Sequence, residues 1–117
     1  MSDSLLSDDS VFLYIEEINK VPDLSAEEEK KLSRQATDGD AKAIEKIAEA
    51  HMKRVVPLVT DYYKNKPKSD KRDFLDLLQA GNTGLLRAAH KFMPNDEYRF
   101  WDYADWWVHH EIEKASG

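Results

Sequence analysis

The chain has no cysteine, only four glycines and four prolines in 117 residues, and no apolar run approaching the length that a bilayer requires. Each absence narrows the field. Without thiols there is neither a disulfide framework nor a thiolate metal site, which suits a reducing compartment. The start, MSDSLLSDDS, carries no basic stretch and no apolar stretch, so neither export nor membrane insertion is indicated and the expectation is a soluble, cytoplasmic protein. A phosphate-binding glycine loop, a dinucleotide fingerprint and a serine or cysteine nucleophile motif are also missing, and no carboxylates stand out as a catalytic pair. Nothing here argues for an enzyme or for a cofactor.

What is present points to helices. Alanine, glutamate, lysine and leucine dominate, β-branched residues are sparse, and no segment alternates as a strand, so the expected fold class is all-α, a compact multi-helix bundle. With 41% hydrophobic residues the length suits one domain over residues 9–117, preceded by a poorly ordered segment at residues 1–8. The net charge of −6 argues against an indiscriminate polyanion binder. The charge is uneven, however, because most of the basic side chains fall between residues 53 and 91.

Taken in order, Asp9 or Ser10 can cap a short helix in which Phe12, Ile15 and Ile18 recur at helical spacing, and Pro22 stops it. Ser25 and Glu28 form a capping box opening a helix that should end near Gly39. Asp40 then caps a segment with Ile44, Ile47, Ala48 and Met52 on one face. Pro57 would cost roughly 3 kcal/mol inside a helix, so a break is expected near Met52 to Arg54, with a second helix reaching about Lys64. The following stretch, KNKPKSDKR, reads as a flexible basic loop whose Lys64, Lys66, Lys68, Lys71 and Arg72 could touch phosphate. Asp73 can cap the next helix, with Phe74, Leu77, Leu78, Leu85, Ala88 and Phe92 inward and Asp76, Gln79, Thr83, Leu86, Arg87 and His90 outward. Gly81 and Gly84 each weaken it by about 1 kcal/mol, which a close approach of another helix at Gly81, or a partner reading the backbone there, would justify.

Aromatic residues then crowd together in YRFWDYADWWVHHEIEK, residues 98–114, which holds all three tryptophans. A helix buries one stripe, here Ala104, Trp107, Val108, Ile112 and Ala115, and leaves Tyr103, Trp106, His110 and Glu113 facing outward beside Asp102 and His109. Such outward rings can cover a loop, form a protein interface or stack against unpaired bases. His109 and Glu113 are spaced to share a metal, but no third ligand is in sight, so no metal site is expected.

FLDLLQAGNTGLLRAAHKF followed by YRFWDYADWWVHHEI closely resembles the second conserved region of the sigma-70 family of bacterial RNA polymerase sigma factors. DSVFLYIEEINKVPDLSAEEEKKLSRQATDGD and AIEKIAEAHMKRVVPLVTDYY resemble the segments that precede it, so the likeness spans roughly residues 9–114. It implies a helical bundle that docks on the clamp helices of the largest subunit of core RNA polymerase and engages promoter DNA, chiefly the non-template strand of the −10 element. An anti-sigma factor is a further partner it allows. By this resemblance Asp76, Gln79, Asn82 and Leu86 match positions that contact core polymerase, while Phe100, Tyr103, Trp106 and Trp107 match positions that trap flipped bases. His109 and His110 stand where the family usually has arginine and glutamine, and they complete the candidate DNA face. Asp102, Asp105, Glu111 and Glu113 are departures, carboxylates that would repel phosphate. They motivate an alternative, a sigma-like decoy that binds polymerase or an anti-sigma factor without opening DNA.

Overall fold

The computed structural model describes residues 9–114, and among them every regular element is a helix. These are α1 (Asp9–Lys20), α2 (Ala26–Thr37), α3 (Ala41–Asn65), α4 (Phe74–Lys91) and α5 (Phe100–Lys114). The expectations for residues 1–8 and for Ala115 lie outside the described residues. Helix α1 already includes Asp9 and Ser10, so neither is the cap that the sequence suggested.

Helix α4 packs against α2, α3 and α5, while α1 packs against α3. One core results, built around Ile47, Val55 and Val59 of α3, Leu77, Leu78 and Leu85 of α4, and Phe100 and Val108 of α5, all fully buried. Each such side chain contributes about 1.5–3 kcal/mol by leaving water.

Local chemistry sets most of the boundaries. The Ser25 hydroxyl accepts from the Glu28 amide and the Glu28 carboxylate accepts from the Ser25 amide, closing the anticipated box at 3.1 Å each way. After α2, Gly39 adopts φ of 92°, a conformation that L side chains rarely take, and its amide donates to the Ala36 carbonyl. Asp40 then accepts from the Lys42 and Ala43 amides.

Three further expectations need correction. Phe12 is half exposed, because a stripe that buries Val11 and Ile18, with Tyr14 and Ile15 partly covered, turns position 12 about 100° away. Helix α3 does not break at Met52 to Arg54 but runs on through Pro57. Pro57 lies on the exposed side, where water can serve the Lys53 carbonyl that loses its donor, and the buried residues His51, Val55 and Val59 keep one stripe continuous past it. The basic loop is not loose either. Asp70 is buried within it and collects Arg72, the Tyr62 hydroxyl and the Arg72 amide, so Arg72 is not available to phosphate.

The glycines of α4 mark where its neighbours approach. A Cβ on Gly84 would lie 2.7 Å from the Trp107 carbonyl oxygen and the Val108 Cα, so α5 crosses α4 backbone to backbone at that point. At Gly81 the clash, at 2.5 Å, is with a Val55 methyl, a side chain of α3. Gly84→Ala should therefore destabilise by roughly 2 kcal/mol net of its helix propensity, and by more than Gly81→Ala, as measured by urea unfolding. Equal stability of Gly84→Ala and the parent protein would contradict the crossing.

Candidate nucleic-acid interface

Helix α5 starts where it does because the amides around its start find side-chain acceptors. The Arg99 amide donates to Asp102 Oδ2 at 2.9 Å, and the Phe100 amide donates to Glu29 Oε2, also at 2.9 Å, from α2. Spacing of four then buries Phe100, Ala104, Val108 and Ile112. The remaining rings form a second face. Tyr103 and Trp107 are half-buried, and Trp106 is 60% exposed. Together with Tyr98 and Asp102 they line an open, largely apolar cleft of about 420 Å³.

Its walls are fixed by ring contacts. Trp106 and Trp107 meet edge to face at 5.2 Å and 89°, and Tyr103 packs 5.5 Å from the buried Phe92. His110 stacks nearly parallel on Trp106, at 4.7 Å and 8°. One indole face is thus occupied by an imidazole within the same helix, while the exposed ring keeps surface for a further partner. His109 turns away from this stack, its Nδ1 lying 3.0 Å from the Asp105 carbonyl and 3.1 Å from the Asp105 carboxylate.

Phe100 does not join this face. It is fully buried between Phe92 at 5.5 Å and His51 at 4.8 Å, because the residue that opens α5 falls on the stripe facing α4. Trp107, assigned to the core by spacing, is divided between core and cleft. The four added carboxylates also separate. Glu111 is buried and pairs with Arg87 and Lys114, each at 3.2 Å, so it adds no exposed charge. Asp102 serves the start of the helix, where a negative charge is favourable, although it also lines the cleft.

On α4, Asp76, Gln79 and Leu86 are exposed along the outer side. The Asp76 carboxylate completes a capping box with Asp73, accepting from the Asp73 amide at 3.1 Å while the Asp76 amide donates to Asp73 Oδ1 at 2.8 Å. Asn82 is separated from this row, since it is partly buried and its side-chain amide donates to the Tyr14 hydroxyl of α1.

Residues 47–115 match the sequence model of sigma-70 region 2, and residues 9–42 match that of sigma-70 factor region 1.2. The chain belongs to the sigma-70 family. It is 38% identical over 107 residues to RNA polymerase sigma factor SigA of a Bacillus species, and 41% identical over 108 residues to SigA of Clostridium acetobutylicum; each alignment covers 92% of this chain and 27% of the relative. RNA polymerase sigma factor RpoS of Coxiella burnetii is 38% identical over 109 residues, covering 93% of this chain and 30% of the relative. The chain spans less than a third of the length of these relatives. Among the described residues no helix is long and apolar enough to cross a membrane, and no group of three His, Asp or Glu residues could hold a metal ion.

In this sigma-70 family chain the two matched regions are tied together by Glu29. Only 4% exposed, it accepts from Arg99 Nε at 2.9 Å and Nη2 at 3.1 Å in addition to the Phe100 amide, and His51 Nε2 lies 3.7 Å away. His51 is held by its other nitrogen, which donates to the Ile47 carbonyl at 2.8 Å. Sequence reasoning missed Glu29, because an acid in a helix's first turn reads as ordinary dipole complementation. It also left Tyr98 out of the site.

Burial pushes the Glu29 carboxyl upward, but the nearby His51 ring and the hydrogen bonds from Arg99 and the Phe100 amide outweigh it and hold the group at about 2, against an ordinary 4.5. A depressed carboxyl stabilises the fold above its unfolded value, and that contribution fades as pH falls toward the folded value. Stability should therefore drop between about pH 4.5 and 2, and Glu29→Gln should flatten this limb while costing about 2 kcal/mol at neutral pH. Chemical denaturation across that range checks both, and an unchanged acid limb in Glu29→Gln would remove Glu29 from the explanation.

Proposed function

We propose that this domain binds core RNA polymerase through the outer side of α4 and captures unpaired bases of the promoter −10 element on the aromatic face of α5. The observation that carries the proposal is the cleft formed by Tyr98, Tyr103, Trp106 and Trp107, with Trp106 the most exposed of its rings. Stacking suits this task because every base has a π face, and each stacked base contributes about 1–3 kcal/mol. A base rotated out of duplex loses its neighbours, and rings already set on a helix replace part of that loss. The relatives' names as RNA polymerase sigma factors support the polymerase half of the reading. Asp76, Gln79 and Leu86 offer an exposed row for it, with Asn82 nearer α1.

Within the DNA half, Tyr103, Trp106 and Trp107 would meet bases, with His110 supporting Trp106 from beneath. Phe100 would act only through the packing of α5. Arg54, exposed and lying 5.7 Å over the Trp101 ring, supplies positive charge beside the start of the helix, whereas the charge of Arg99 is matched by Glu29.

A second reading is favoured by one observation, the Asp102 carboxylate in the wall of the cleft itself. A base-trapping surface gains nothing from a charge that repels the adjoining phosphates. On this reading the protein is a sigma-like decoy that occupies polymerase or an anti-sigma factor without engaging DNA.

A gel shift with single-stranded −10 oligonucleotide separates the two. Trp106→Ala should weaken binding by about tenfold or more if the ring stacks on a base, whereas an absence of binding by the parent protein at any salt concentration supports the decoy. Pull-down with core polymerase tests the shared half. Asp76→Ala together with Gln79→Ala should reduce capture, and undiminished capture would sink the docking assignment. Because Asp76 also caps α4, thermal unfolding of these variants must accompany the pull-down.

A further inference from the structure

The segment between α3 and α4 is rich in lysine and arginine, yet its most constrained cation points inward. Arg72 donates through Nε to Asp70 Oδ1 at 3.0 Å and through Nη2 to Asp70 Oδ2 at 2.8 Å, a two-pronged pairing that fixes the guanidinium plane. The same Nη2 donates to the Ile112 carbonyl at 2.7 Å. Ile112 lies in the C-terminal part of α5 as described, so the guanidinium grips that helix by its main chain as well as pairing with Asp70.

Asp70 is prepared for this role. Its carboxylate is buried, accepts from the Tyr62 hydroxyl at 2.9 Å and from the Arg72 amide at 3.1 Å, and Lys66 donates to its carbonyl. Tyr62 belongs to α3, so the pair is braced against a helix other than the one it grips. Helix α5 is thus held at three places: the Phe100 amide by Glu29, the Trp107–Val108 backbone against Gly84, and the Ile112 carbonyl by Arg72. The cleft rings that α5 carries, Tyr103, Trp106 and Trp107, lie between the first and last of these.

We infer that Asp70 and Arg72 are positioning residues, forming a clamp that fixes the C-terminal end of α5 and thereby the presentation of Tyr103, Trp106 and Trp107 to an unpaired strand. The strand part rests on the reading given under Proposed function; the clamp itself does not. Neither residue touches the bases, and both act by geometry rather than by phosphate contact. Arginine is required because one planar fork must satisfy a carboxylate and a carbonyl together, which the single ammonium of lysine does not reproduce.

The test uses the full chain with Arg72→Met, Arg72→Lys and Asp70→Asn, at a temperature where circular dichroism shows every variant folded. Amide hydrogen exchange across residues 108–114 should accelerate by about tenfold in Arg72→Met and Asp70→Asn, with the α2 amides unchanged. Affinity for a single-stranded −10 oligonucleotide should fall by about tenfold while capture by core polymerase stays within about twofold. Arg72→Lys should resemble Arg72→Met. Unchanged exchange in α5, full recovery by lysine, or parallel loss of oligonucleotide and polymerase binding would each overturn the clamp. If the parent protein binds no oligonucleotide but Arg72→Met still accelerates exchange selectively in α5, the clamp stands and the strand-capture reading falls.

Discussion

A single buried carboxylate, Glu29, joins the two halves of this molecule. Taking a charge out of water is expensive, and only strong partners on several sides make it tolerable. Here one carboxylate receives the two-pronged Arg99 guanidinium and the Phe100 amide, with His51 close by, from elements 22 to 71 residues away in sequence. Because the amide is the first of α5, the same interaction sets where that helix begins. The same contact pins the register of α5 against the bundle, in which Phe100, Ala104, Val108 and Ile112 turn inward and the remaining rings outward. A slip of one residue in that register would rotate every ring by about 100° and dismantle the cleft.

The same economy governs the rest of the charge. A net charge of −6 suggests a surface hostile to phosphate, yet several carboxylates are occupied in shaping helices. Asp73 and Asp76 open α4, Asp102 serves the start of α5, Asp70 holds Arg72, and Glu111 is buried between Arg87 and Lys114. A formal sum therefore describes the field at a distance and says little about the face a ligand would meet. Among the cleft residues it is Asp102 alone that brings a carboxylate to the wall.

Legibility followed the range of the interaction. The capping boxes, the glycine stop after α2 and the inner stripe of α4 were readable because each depends on residues within about one turn. The break expected at Pro57 was wrong, since the rule against mid-helix proline is also local, and here a stripe through Val55 and Val59 overrides it. Glu29 and the grip of Arg72 on α5 were not readable, because the groups they hold there lie 40 to 71 residues away. The inward turn of Phe100 follows from its spacing of four with Ala104, Val108 and Ile112, but the family resemblance had placed it on the DNA face. The aromatic cluster stood out in the sequence as a candidate site, but spacing alone could not divide its rings between core and surface. Trp107 shows why: its backbone is pressed against Gly84 while its ring lines the cleft, so one residue serves both assignments.

This division also explains why a stacking surface would be built on such a tightly held helix. A ring on a mobile loop must lose rotational freedom before it can stack, and each immobilised side chain subtracts about 0.5–1.5 kcal/mol from the interaction. A single stacked base contributes only about 1–3 kcal/mol, so that loss could consume much of the gain. In α5 the loss is taken during folding: Trp106 is already buttressed by His110 and Trp107, and Tyr103 by Phe92. The anchors at Glu29, Gly84 and Arg72 extend the same logic from rings to backbone, because a buttressed ring is useful only if the helix that carries it does not rock.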